Sequence, residues 1–154
     1  MKLNLAERPA ITVIGLQIRT APMSPEIPAL WPRFVARIPE IGHTTEGRVT
    51  YGVMRNVAGG MDSFDYLAGV AVSEAAEVPP GMSRVELPAG TYAAFRFPLS
   101  GLGAGFADIF QRLLPGSGWL QAAGPYFERY GEDFCPDDVS SPVEVWLPVR
   151  PEGA

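Results

Sequence analysis

Tyr126-Phe127-Glu128-Arg129-Tyr130 is the stretch whose residue types and spacing could do chemistry. In an extended chain, period-two alternation puts Tyr126, Glu128 and Tyr130 on one face. A carboxylate between two aromatic rings attracts a cation by its charge and by the ring quadrupoles, while the rings bury the apolar body of the same molecule. The fitting ligand is a lipophilic cation. A glutamate in an apolar pocket could also have its pKa raised toward neutrality and act as general acid or base, with Tyr126 or Tyr130 polarising a substrate. The pattern alone fits still better a solvated edge-strand glutamate paired with Arg129 or another base, with the tyrosines half-buried.

Other candidate chemistries are weaker. Cys135 and His43 are single residues of their kinds, a thin basis for a thiol nucleophile and base. Gly101-Leu-Gly-Ala-Gly105 lacks the dinucleotide spacing and a phosphate-binding lysine, so no nucleotide cofactor is expected. Asp133, Asp137 and Asp138 fit no calcium loop, and His43 has no second imidazole, so no metal is expected. A net charge of -5 without a basic cluster argues against direct nucleic-acid binding. The first residues lack a signal-peptide core, and no apolar run suits a membrane span. The chain therefore reads as cytoplasmic.

The elements that would position these residues come as a repeat. Ile27, Leu30, Trp31, Phe34 and Val35 are answered 79 residues later by Phe106, Ile109, Phe110, Leu113 and Leu114, each set forming an amphipathic helical stripe. Ser24-Pro25-Glu26 starts the first helix, and Pro32 predicts a kink in it. Ser100 offers a cap for the second, which Pro115-Gly-Ser-Gly118 ends. Strands are expected at 10–19, 49–55, 64–72, 87–97, 125–130 and 143–149, with a hairpin loop containing Gly59-Gly60-Met61-Asp62. The fold class is thus α+β, a tandem strand-helix-strand-strand repeat. Its antiparallel sheet carries two helices on one face and a ligand cleft between the halves. We expect one domain over residues 1–154, with pseudo-repeats at about 10–75 and 87–150. Alternation turns Trp146 to the face the helices leave uncovered, and helical spacing places Phe34 in the core.

Six segments in order, Leu30-Trp31-x-x-Phe34, Tyr51-Gly-Val, Phe64-Asp-Tyr-Leu-Ala-Gly-Val, Leu87-Pro-Ala-Gly-Thr-Tyr-Ala-Ala-Phe, Gly124-Pro-Tyr-Phe-Glu-Arg-Tyr and Glu144-Val-Trp-Leu-Pro-Val, resemble the GyrI-like family. These are effector-binding domains of AraC-type and MerR-type multidrug regulators, also found as stand-alone proteins. The resemblance implies an aromatic pocket with an acid at its base, matching Glu128, and carries over Trp31, Tyr66, Tyr130 and Trp146 as pocket aromatics. Tyr126 and Tyr92 join them on strand alternation alone. With a strand expected from Ala10, no room is left for a helix-turn-helix, and the chain resembles the stand-alone members. The leading expectation is non-catalytic binding of amphipathic cations. The alternatives are a hydrolase of strained electrophiles using Glu128 and Tyr130, and an interaction or inhibitor module for a regulator protein. A homodimer through matching strands stays open. Counting one repeat back from Glu128 reaches Val49, so the acid belongs to the second half alone.

Overall fold

In a computed structural model, which describes residues 3–58 and 63–153, nine strands and two helices follow the chain in the order β1 (Asn4–Arg8), β2 (Ile11–Thr20), α1 (Glu26–Val35), β3 (Thr50–Ala58), β4 (Ser63–Val72), β5 (Ser83–Leu87), β6 (Gly90–Pro98), α2 (Leu102–Asp108), β7 (Trp119–Gln121), β8 (Tyr126–Tyr130) and β9 (Pro142–Pro151). The expected loop at Gly59-Gly60-Met61-Asp62 lies outside the described residues. The strands are antiparallel in the order β1-β6-β9-β8-β3-β4-β2-β5, with β7 paired to β9. That order is a palindrome of the repeat. Each half places its middle strands inward, and β3 meets β8 at the centre.

An offset of 79 residues (83 less 4) carries β1 onto β5 and β4 onto β9, residue for residue. The short leading strands are exchanged between halves, since β1 pairs with β6 and β5 pairs with β2. Arg8 faces Gly90 and Ile11 faces Leu87, so the two ladders keep one register across the identical dipeptides Pro9-Ala10 and Pro88-Ala89. Proline donates no ladder hydrogen bond and suits a corner. Both segments leave the regular ladder there and resume it in β2 and β6, so the two-stranded ribbon continues from one end of the sheet order to the other. The sheet must therefore curl round on itself. Laid flat, the six inter-strand steps from β5 to β6 would span about 29 Å, whereas the three Cα steps from Leu87 to Gly90 reach at most about 11 Å.

The curl buries both faces, which is why β2 and β4 read as nearly continuous apolar runs. One apolar cluster packs Leu30 and Phe34 of α1 and Ile109 and Leu114 from the α2 region onto Ile14, Tyr66, Tyr126, Val145 and Leu147. The other cluster holds Val13, Tyr51, Val53, Leu67, Val85, Leu87, Tyr92 and Phe127, with Trp146 against it.

The helices depart from expectation in detail. Ser24 Oγ accepts the Glu26 N–H at 3.2 Å, as a cap should, but α1 stops at Val35, which is 54% exposed, and a 3-10 turn follows at Ile38–Glu40. Pro32 sits inside α1, whose chain stays helical through it. Ser100 makes no cap. It falls in a 3-10 turn, and α2 passes into a π-helical turn at Ile109–Leu113.

Candidate functional site

Glu128 stands on β8 directly across from Gly52 of β3, at the midpoint of the ladder joining the halves. The pairing is symmetric about these two residues, with Thr50 facing Tyr130 and Met54 facing Tyr126. Gly52 is therefore the counterpart of Glu128, at an offset of 76 (128 less 52), which replaces the Val49 reached by counting a full repeat. The exchange of acid for glycine has a steric reason. A Cβ at Gly52 would lie 2.2 Å from the Tyr66 hydroxyl and 2.5 Å from Glu128 Oε1, so the missing side chain is the space the carboxylate occupies.

Glu128 is 6% exposed. Its Oε1 accepts hydrogen bonds from the Tyr66 hydroxyl at 2.8 Å and the Tyr130 hydroxyl at 2.7 Å. Tyr66 in turn accepts from Trp31 Nε1 at 3.1 Å, which fixes the direction of its own proton. The indole of Trp31 also packs edge-on to Tyr130, with centroids 5.3 Å apart. On the other side of Glu128, Tyr126 lies beneath Phe106 and Phe110 of the second helical segment, at 6.3 and 6.2 Å. Trp31 and Phe110 occupy equivalent places in the two stripes. The carboxylate thus sits on the line between the two helices, with an aromatic group from each half on either side.

The two oxygens of Glu128 differ. Both hydrogen bonds fall on Oε1, and among the described residues no fully buried side-chain oxygen lacks a partner, so Oε2 is unpaired and not completely enclosed. Burial pushes the Glu128 pKa up, and the bonds from Tyr130 and Tyr66 pull part of the way back. Burial, reinforced by the neighbouring Glu128 charge, holds Tyr66 and Tyr130 well above the usual tyrosine range and Tyr126 at about 12. The tyrosines stay protonated donors at neutral pH.

Tyr126, Glu128, Tyr130, Tyr66 and Trp31 are brought together. Trp146 and Tyr92 are not, because they lie across the sheet, where Trp146 stacks on Phe127 at 6.4 Å and 15° and Tyr92 meets both rings edge-on. Alternation already turned Trp146 away from the helices, and Phe127 and Glu128 necessarily face opposite sides. Arg129 is not the partner of Glu128 either; its guanidinium approaches Glu46 and Glu144, each at 3.5 Å. Cys135 is exposed, and among the described residues no three metal-binding side chains cluster.

Gly52, Phe106 and Phe110 were missed as site residues. Gly52 carries no side-chain signal and is recognised only through strand register. A cavity of about 710 Å³ lies elsewhere, between Arg55–Val57, Val85–Glu86 and residues 121–126, and another of about 440 Å³ is lined by Thr45–Gly47, Val49, Arg129 and Glu132. Neither reaches Glu128.

The model of the GyrI-like small molecule binding domain matches residues 1–150. The transcriptional regulator BrlR of Pseudomonas aeruginosa is 34% identical over 152 residues, covering 97% of this chain and 56% of its own length, so the chain spans about half of that relative. Among solved structures, SAV2435 bound to tetraphenylphosphonium superposes with a TM-score of 0.73 at 15% identity, over 97% of this chain and 94% of that one. The C-terminal domain of EcmrR gives 0.69 at 18% identity, over 97% and 98%. These structures share the fold.

Proposed function

Since the chain belongs to the GyrI-like small molecule binding family, we propose that it binds lipophilic cations without turning them over, with Glu128 as the charge-recognising base of the site. Trp31, Tyr66, Tyr126 and Tyr130 supply the aromatic walls. The observation that carries this reading is the asymmetry of the carboxylate. Oε1 is held by two tyrosine hydroxyls, while Oε2 keeps its lone pairs for something else. A buried anion with one unspent oxygen is costly when alone and favourable beside a positive charge. Burial pushes up the pKa values of all three neighbouring tyrosines, and two of them, Tyr66 and Tyr130, face the carboxylate as fixed donors rather than as bases, which favours recognition over proton-transfer chemistry. The related fold that holds tetraphenylphosphonium supports a bulky aromatic cation as the ligand type.

The test is a titration of wild type and Glu128→Gln with tetraphenylphosphonium and with neutral triphenylphosphine oxide. The substitution keeps the acceptor for both tyrosines and removes the charge. Loss of a charge-assisted contact should weaken the cation by about 1.5–3 kcal/mol, or roughly 10- to 150-fold, and leave the neutral compound unchanged. Equal affinity of both proteins for the cation would remove Glu128 from the reading.

A further inference from the structure

The face of the sheet away from Glu128 holds a second meeting of a cation with aromatic rings. The Arg8 guanidinium, at the end of β1, lies 4.5 Å from the centroid of Trp146 and 5.3 Å from that of Phe127. Those two rings stack on each other, and Tyr92 closes a third side edge-on. The rings are held from behind. Trp146 Nε1 donates to Glu144 at 3.1 Å, and the Tyr92 hydroxyl donates to the Pro88 carbonyl at 2.7 Å. Among the described residues Arg8 makes no ion pair and no side-chain hydrogen bond, so the aromatic faces are what the guanidinium meets.

The repeat shows that this is a specific addition. The residue equivalent to Arg8 on the other exchanged strand is Leu87, which is buried in an apolar cluster. A leucine suffices to seat β5 on the first half. A delocalised cation over two ring faces seats β1 on the second.

We propose that Trp146, Phe127 and Tyr92 form a guanidinium-recognition site which, together with the edge of β6, reads an arginine carried on an extended strand, and that β1 is its tethered occupant. The two components are separable in principle. Backbone pairing of β1 to β6 holds any extended segment, as in strand addition to a sheet edge, and the cage selects the arginine. Planar guanidinium suits such a cage better than ammonium, since it stacks on ring faces and is less strongly hydrated. The site differs from the proposed ligand site in face, residues and ligand, and stands without it.

The full chain tests this by chemical rescue. Arg8→Ala empties the cage and should lower Tm by about 2–4 °C. Ethylguanidinium, titrated to a few hundred millimolar because the contact is worth only about 1 kcal/mol, should then recover part of the loss and perturb tryptophan fluorescence beyond the effect of the same concentration on wild type. Ethylurea, of similar shape but neutral, should do neither. Wild type, whose cage is filled, should not show this excess, and Arg8→Ala with Trp146→Leu should lose it. A response in Arg8→Ala that is absent or no larger than in wild type overturns the proposal. Should Arg8→Ala not fold, the order of stability decides: Arg8 above Arg8→Lys above Arg8→Leu supports cation recognition. Arg8→Leu matching wild type reduces the contact to apolar packing.

Discussion

At the scale of the residue, Glu128 should leave a signature in the pH dependence of stability. Burial raises its pKa in the folded chain above the ordinary value it regains on unfolding. The folded state therefore holds the proton more tightly, and the stability this contributes is fully present below the unfolded value near 4.3 and lost as pH rises through the folded value. Thermal melts of wild type should thus lose ground to Glu128→Gln between acidic and neutral pH, with the gap closing on acidification. Parallel curves for the two proteins would mean that burial leaves the carboxyl at its ordinary pKa. A bound cation acts in the opposite sense. It favours the charged form, so tetraphenylphosphonium should bind more tightly as pH rises through the same window and release protons as it does, which calorimetry in buffers of different ionisation enthalpy would measure. Gly52 gives the steric complement. Gly52→Ala forces a methyl group into the space of Tyr66 and Glu128 and should cost about 1–3 kcal/mol in denaturant unfolding.

At the scale of the element, what the chain reveals in advance depends on whether a signal is local. The two amphipathic stripes and the strands beneath them are local patterns, and Glu128 announced itself by alternating with Tyr126 and Tyr130 inside five residues. β1 and β5 are not readable in the same way. Each is five residues long and interleaves charged and apolar positions, and each is stabilised by a partner from the far half. The only hint was the recurrence of Pro-Ala at 9–10 and 88–89. The offset of 79 residues holds from β1 to β5 and from β4 to β9 but shrinks to 76 between β3 and β8, which is why Val49 stood in for Gly52. Trp146 joins Glu128 only through the family resemblance and Tyr92 only through strand alternation, and neither says which face of the sheet lines the cleft. α1 meets the site through a single polar contact, the bond from Trp31 to Tyr66. Trp31→Phe keeps the ring against Tyr130 and removes that donor. It should cost about 1 kcal/mol of stability, and free rotation of the Tyr66 hydroxyl should loosen its bond to Glu128, visible as a weaker cation titration.

At the scale of the whole molecule, the exchange of leading strands decides how the halves unfold. Had β1 and β5 each stayed with its own half, the strand pairing between the two repeats would be the β3 to β8 ladder alone. With β1 on the second half and β5 on the first, each half is incomplete without a strand supplied by the other. The Pro-Ala segments join them further, since the two ladders keep one register across both dipeptides. This makes a single cooperative transition the expectation for both repeats. Leu87 offers the sharpest test, because it is buried, belongs in sequence to the second half, and packs with residues of the first. Leu87→Ala should cost about 2–5 kcal/mol. Leu87→Ala should lower the midpoint by the same amount whether it is read through Trp31, with Trp119 and Trp146 replaced by Phe, or through Trp146, with Trp31 and Trp119 replaced by Phe, each compared with its own background. If the first half alone melted early, leaving the Trp146 signal at its original midpoint, the repeats would be two folding units that merely touch, and the line between them could not hold Glu128 rigid for a ligand.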